Sequence, residues 1–103
     1  MNIECHFCTE SISFYNKLAE PQQGVKAARI IAIFPNEEGE VKKYAQYNRL
    51  QLETISGVNF KALNISGTPT MILVDDSGKV VDFWIGKLSK DNEHQIIKTL
   101  AAS

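Results

Sequence analysis

The chain has 103 residues, enough for one compact domain and too few for a second. Hydrophobic residues make up 44% and charged residues 22%, which excludes the disordered and fibrous classes and predicts a real core. Eleven basic against twelve acidic residues give a net charge of −1 with no basic run, so nucleic acid is excluded as an expected partner. No stretch approaches the roughly 20 apolar residues of a membrane helix, and the N-terminus lacks the basic and hydrophobic regions of a signal peptide.

In chain order, Cys8, Ile12, Tyr15 and Ala19, flanked by Phe14 and Leu18, recur at helical spacing and predict a helix over about 6–20, stopped by Pro21 and Gly24. The run Ala28 to Phe34, closed by Pro35-Asn36, predicts a strand of a parallel sheet buried on both faces. Val41, Tyr44, Ala45, Leu52 and Ile55 lie near one stripe and predict a second helix over roughly 40–54. Phe60, Leu63 and Ile65 form a lead-in to Gly67. Thr70–Val74 and Lys79–Ile85, separated by Asp75-Asp76-Ser77-Gly78, predict a β-hairpin. Asp91–Ala102, capped near Ser89 or Asp91, predicts a closing helix. The order is α/β with a mixed sheet, without repeats or low-complexity linkers.

Only two cysteines occur, three positions apart in Cys5-His6-Phe7-Cys8, so they cannot staple distant parts of the fold. Their value is local chemistry: one thiol can attack a disulfide and its neighbour can release the product. Cys5 stands at the expected start of a helix, whose free amide groups and partial positive charge favour a thiolate, which makes Cys5 the nucleophile. His6 adds a titratable group that should lower the Cys5 pKa and make the disulfide more oxidising, and Phe7 packs on the domain surface or on a substrate. About 60 residues beyond the pair, Gly67-Thr68-Pro69-Thr70 leads into Met71-Ile72-Leu73-Val74.

Cys5-His6-Phe7-Cys8, Ile65-Ser66-Gly67-Thr68-Pro69-Thr70, and Gly78 to Gly86 together give the chain its family likeness. On these motifs it resembles the thioredoxin-like superfamily, and within it the TlpA/ResA-like thiol:disulfide interchange proteins of bacteria. The resemblance covers nearly the whole chain and implies a thioredoxin-like mixed sheet with flanking helices. It also implies a protein-disulfide oxidoreductase in which Cys5 attacks and Cys8 resolves. Pro69 would be cis and face the cysteines, with the Thr68 backbone pairing with an extended substrate segment. No cofactor is called for. The implied partners are disulfide- or dithiol-bearing protein substrates and an upstream thiol reductant or oxidant. The implied location is the bacterial periplasm or another extracytoplasmic compartment.

One departure stands out, since only Met1-Asn2-Ile3-Glu4 precede Cys5, where that family runs a buried central strand into the motif. Four residues cannot supply a strand of the usual five or six plus its loop, so the fold is expected to be N-terminally truncated. Either the single domain 1–103 is a fragment of a longer chain, or the sheet closes differently, or a second molecule lends the strand in a strand-sharing dimer. The fragment is the expectation adopted here.

Two other function classes compete. Zinc would need four ligands, against two cysteines, His6 and His94 here, with His6 badly placed between the thiols. A redox-inactive binding module of the same fold, or a truncated product, is the stronger alternative; in it, replacing Cys5 would leave partner binding intact. A peroxidase pattern around the cysteines is absent. Trp84 and Phe83 read as packing residues, His94 as a solvated one, Glu4 as having no role, and Lys42-Lys43 and Glu37-Glu38 as helix-surface charge.

Overall fold

A computed structural model describes residues 1–20 and 29–101. The expected first helix is two: α1 (His6–Glu10) and α2 (Ile12–Ala19). The break is at Ser11, whose N–H is shared between the carbonyls of Phe7 and Cys8 while its hydroxyl donates to Phe7 O at 2.7 Å. A serine hydroxyl bonding back along a helix competes with the regular ladder and bends it. After the bend α2 buries Ile12, Phe14, Tyr15 and Leu18. The expected stop signals Pro21 and Gly24, and the expected strand start Ala28, lie outside the described residues.

The first strand is shorter than expected: β1 covers Ile31–Ile33, with Ala32 and the following Phe34 buried. Helix α3 runs over Glu38–Tyr47 and not to residue 54. Its end is a Schellman motif: Leu50 N–H reaches Ala45 O, Arg49 N–H reaches Gln46 O, and Arg49 takes the left-handed position at φ 56°. The sequence carries no glycine at that position to announce the stop. The freed chain then forms β2 (Glu53–Ile55), a strand where a helix was expected. β2 lies parallel to β1 with Ile31 opposite Glu53 and Ile33 opposite Ile55, and Arg29 grips Glu53 with two hydrogen bonds of 3.0 and 2.6 Å.

The hairpin and closing helix follow the sequence closely. β3 (Thr70–Val74) and β4 (Val80–Ile85) are antiparallel, with Thr70 opposite Ile85. In the turn Asp75 Oδ1 accepts from Ser77 N–H, Ser77 Oγ and Lys79 N–H, and Gly78 takes φ 85°. Helix α4 (Lys90–Ala101) is capped by Ser89, whose Oγ accepts from Asn92 N–H at 3.1 Å.

The single mixed sheet is not formed among the described residues; β1–β2 and β3–β4 are separate two-stranded sheets. Phe34 directs both its N–H and C=O toward the β2 side, to Ile55 O and from Val58 N–H. Alternation along a strand therefore turns Ile33 to the opposite edge, where its carbonyl accepts from the Met1 amine at 2.6 Å. The core is divided in the same way. One cluster is Ile12, Ala32, Phe34, Val41 and Leu50; the other is Phe14, Tyr15, Leu18, Ile96 and Leu100, against which Met71, Leu73 and Trp84 pack. Met1 and Leu52 touch both clusters.

A non-glycine residue in the left-handed region costs roughly 1–2 kcal/mol, partly offset for glycine by its own chain entropy. Arg49→Gly is therefore expected to stabilise the protein by about 0.5–1 kcal/mol. Urea denaturation should show a higher midpoint at unchanged slope.

Candidate active site

The site starts from the cap of α1. Cys5 is extended, at φ −87° and ψ 110°, and its Sγ accepts from Cys8 N–H at 3.1 Å, so a sulfur does the work that an Asp or Ser oxygen does at other helix caps. The turn that makes this bond brings the two Cα atoms to 5.2 Å, and the cysteines are joined as a disulfide. Their environments differ: Cys8 is fully buried, and Cys5 is half-exposed. Thr9, next along, donates to Cys5 O at 3.3 Å and shares a 2.6 Å hydrogen bond with the Tyr44 hydroxyl, which anchors α1 to α3.

The two residues between the cysteines face outward. The His6 side chain is 78% exposed, and Phe7 is 51% exposed with its ring centroid 5.7 Å from that of His6. His6 Nε2 lies 3.0 Å from Glu10 Oε2, an i,i+4 pair on the same short helix. The other oxygen of Glu10 accepts from Lys87 Nζ at 2.8 Å. Hydrogen bonding by Lys87, first, and then its charge and His6, hold the Glu10 carboxyl below its ordinary range.

The second motif lies between α3 and the hairpin. The Thr68–Pro69 peptide bond is cis. Pro69 is buried and Thr68 half-buried, and Thr70 Oγ1 donates to Gly67 O at 2.6 Å, which tightens the turn. Pro69 O accepts from Gly86 N–H at 2.7 Å, tying this loop to the end of β4. Among the described residues no hydrogen bond runs from Thr68 or Pro69 to either cysteine. One connection between the two motifs passes through Pro69, Gly86, Lys87 and Glu10 to α1. Neither Glu10 nor Lys87 is selected by the sequence reading. The i,i+4 spacing from His6 could have flagged Glu10, but Lys87 lies 77 residues away and carries no local signal.

Trp84 packs against the second core cluster, Phe83 points outward at 58% exposure, and His94 and Glu4 are exposed. Among the described residues no group of three or more His, Cys, Asp or Glu could hold a metal ion, and no helix is long and apolar enough to cross a membrane.

Solved structures that superpose over nearly the whole chain include these two. StoA from Bacillus subtilis superposes with a TM-score of 0.78 at 14% identity, over 95% of this chain and 75% of its own. A putative thiol:disulfide interchange protein DsbE from Chlorobium tepidum superposes with a TM-score of 0.78 at 21% identity, over 96% and 74%. The fold is therefore thioredoxin-like, with α/β order, flanking helices and a close Cys5–Cys8 pair. At these identities the likeness is one of fold. The sequence matches no protein-family model and no curated protein.

Two outcomes test the geometry. In the reduced protein a brief iodoacetamide pulse should add one group at Cys5 and spare the buried Cys8, read by intact mass and peptide mapping. In an NMR titration the Glu10 carboxyl should ionise below the ordinary value of 4.5, and Lys87→Ala should move that midpoint up. Because the folded pKa is depressed, the contribution of the ion pair is present above the ordinary carboxylate range and is lost as pH falls through the folded value.

Proposed function

We propose that this protein is a thiol-disulfide oxidoreductase that exchanges disulfides with protein substrates through Cys5 and Cys8. The observation that carries the reading is the asymmetry of the pair: a half-exposed Cys5 whose sulfur takes a backbone N–H, joined to a Cys8 with no exposed surface. A hydrogen bond to sulfur favours thiolate over thiol. In the reducing direction the Cys5 thiolate attacks one sulfur of a substrate disulfide, forming a mixed disulfide and expelling the other sulfur as a thiolate. Cys8, having lost its proton, then attacks Cys5 Sγ and expels the second substrate thiolate. Two electrons pass to the substrate, the Cys5–Cys8 disulfide closes, and the protons of the two cysteine thiols end on the substrate thiols. Run backward, the same steps oxidise a substrate dithiol.

The surrounding residues take supporting roles in this reading. Thr68 offers backbone groups to an extended substrate segment, with Pro69 behind it as a rigid wall. Phe7 offers an exposed apolar contact beside Cys5, and His6 tunes the preference between redox forms. An oxidising compartment outside the cytoplasm suits such a pair, because disulfide-bearing proteins are found there.

The test is equilibration in graded glutathione buffers followed by alkylation and intact mass. A single two-electron transition is expected for the Cys5–Cys8 pair; two independent one-thiol reactions would refute the reading. Cys8→Ser should accumulate a mixed disulfide with a substrate at Cys5, whereas Cys5→Ser should accumulate none and lose turnover. If Cys5→Ser leaves partner binding and the protein's effect on that partner intact, the domain is a binding module.

A further inference from the structure

Three side chains outside the cysteine pair meet beside α1. Glu10 closes α1, one helical step beyond His6, and its two oxygens are divided between His6 Nε2 and Lys87 Nζ. Lys87 follows Gly86, which takes φ 89°, a conformation that favours glycine and turns the chain out of β4. Gly86 N–H is at the same time committed to Pro69 O at 2.7 Å. One short path of contacts therefore runs from the redox helix to the Thr68–Pro69 loop. α1 is also held by the Thr9–Tyr44 hydrogen bond, which ties it to α3.

We propose that Glu10 and Lys87 form a positioning latch that holds the Thr68–Pro69 loop in register with Cys5, so that exchange with an extended peptide disulfide depends on the pair while exchange with a small disulfide does not. The inference rests on the redox reading of Cys5 and Cys8. Its physical basis is a division of labour. A small disulfide needs only the sulfur of Cys5, which the backbone of α1 positions without help from Glu10. An extended peptide must at once pair with Thr68 and present its sulfur to Cys5, so the spacing of the two segments enters the rate. Both partners of the ion pair are exposed enough that the interaction contributes little to overall stability. Its consequence is therefore expected in substrate choice and not in folding.

The experiment compares the unaltered protein with Glu10→Gln, Lys87→Ala, the double variant and Lys87→Arg. Two substrates are used: bis(2-hydroxyethyl) disulfide, and two extended peptides joined by one disulfide. For the peptide substrate kcat/KM should fall about threefold to fivefold in each single variant, with the loss mainly in KM. The double variant should lose no more than either single one, because the two groups act as one unit. Lys87→Arg should restore the rate, since a guanidinium can make the same contact. With the small disulfide all variants should stay within about twofold of the unaltered protein. Equal losses on both substrates, or no loss on either, would overturn the latch and leave the redox reading standing. Failure of the unaltered protein to exchange with either substrate would overturn the redox reading and the latch with it.

Discussion

The bond from Cys8 N–H to Cys5 Sγ is the constraint on which the site depends. It makes the reactive sulfur a structural part of the helix, since removing that acceptor would leave a first-turn amide without a partner. It also sets the asymmetry between the thiols: the same turn that aims the amide at Cys5 carries Cys8 into the interior, where it has no exposed surface. Thr9 and Ser11 follow at once and fix what comes next. Thr9 joins α1 to Tyr44 of α3, and Ser11 ends α1 before α2 begins.

The one short helix α2 serves both halves of the core. Ile12 enters the cluster under β1 and α3, whereas Phe14, Tyr15 and Leu18 enter the cluster under the hairpin and α4. Among the described residues no backbone ladder joins β1–β2 to β3–β4, and side chains of α2, Met1 and Leu52 bridge the two clusters. Packing of this kind is non-directional and tolerates the open edge of β1, where ladder hydrogen bonds would not. The outer edge of β4 is handled differently. Pro69 O and Gly86 N–H form a bonded pair, so alternation sends Phe83 N–H away from β3, and there Asp82 Oδ1 accepts it at 2.8 Å. A charged side chain that occupies an edge N–H blocks strand addition at a point flanked by exposed Val81, Phe83 and Ile85.

Local chemistry is what the sequence makes legible. Asp75-Asp76-Ser77-Gly78 predicts its turn because each residue acts on its own neighbours, and Ser89 predicts its cap for the same reason. Cys5 and Cys8 are readable as a close pair because their spacing is the geometry. The failures are equally physical. Arg49 stops α3 in a conformation usually given to glycine, so the apolar stripe through Leu52 and Ile55 looks helical when the chain has already turned to pair with β1. Ser11 breaks the first helix through a hydroxyl that a periodicity reading counts as neutral. Lys87 is invisible because its meaning is set by Glu10, on the far side of the fold.

The exposed ion pair and the buried cysteine contribute to the site by different currencies of free energy. Burial of Cys8 and its neighbours fixes where α1 sits to within the tolerance of a packed core, and no surface charge could replace that. Pro69 is buried as well, whereas Thr68 beside it is half-buried and the loop is bonded to the end of β4 through Gly86. At such a half-exposed segment weak, directional contacts select among arrangements whose packing energies are similar. On the proposed reading, a site divided between a helix and a loop draws its reactivity from the helix and its choice of substrate from how firmly the loop is held.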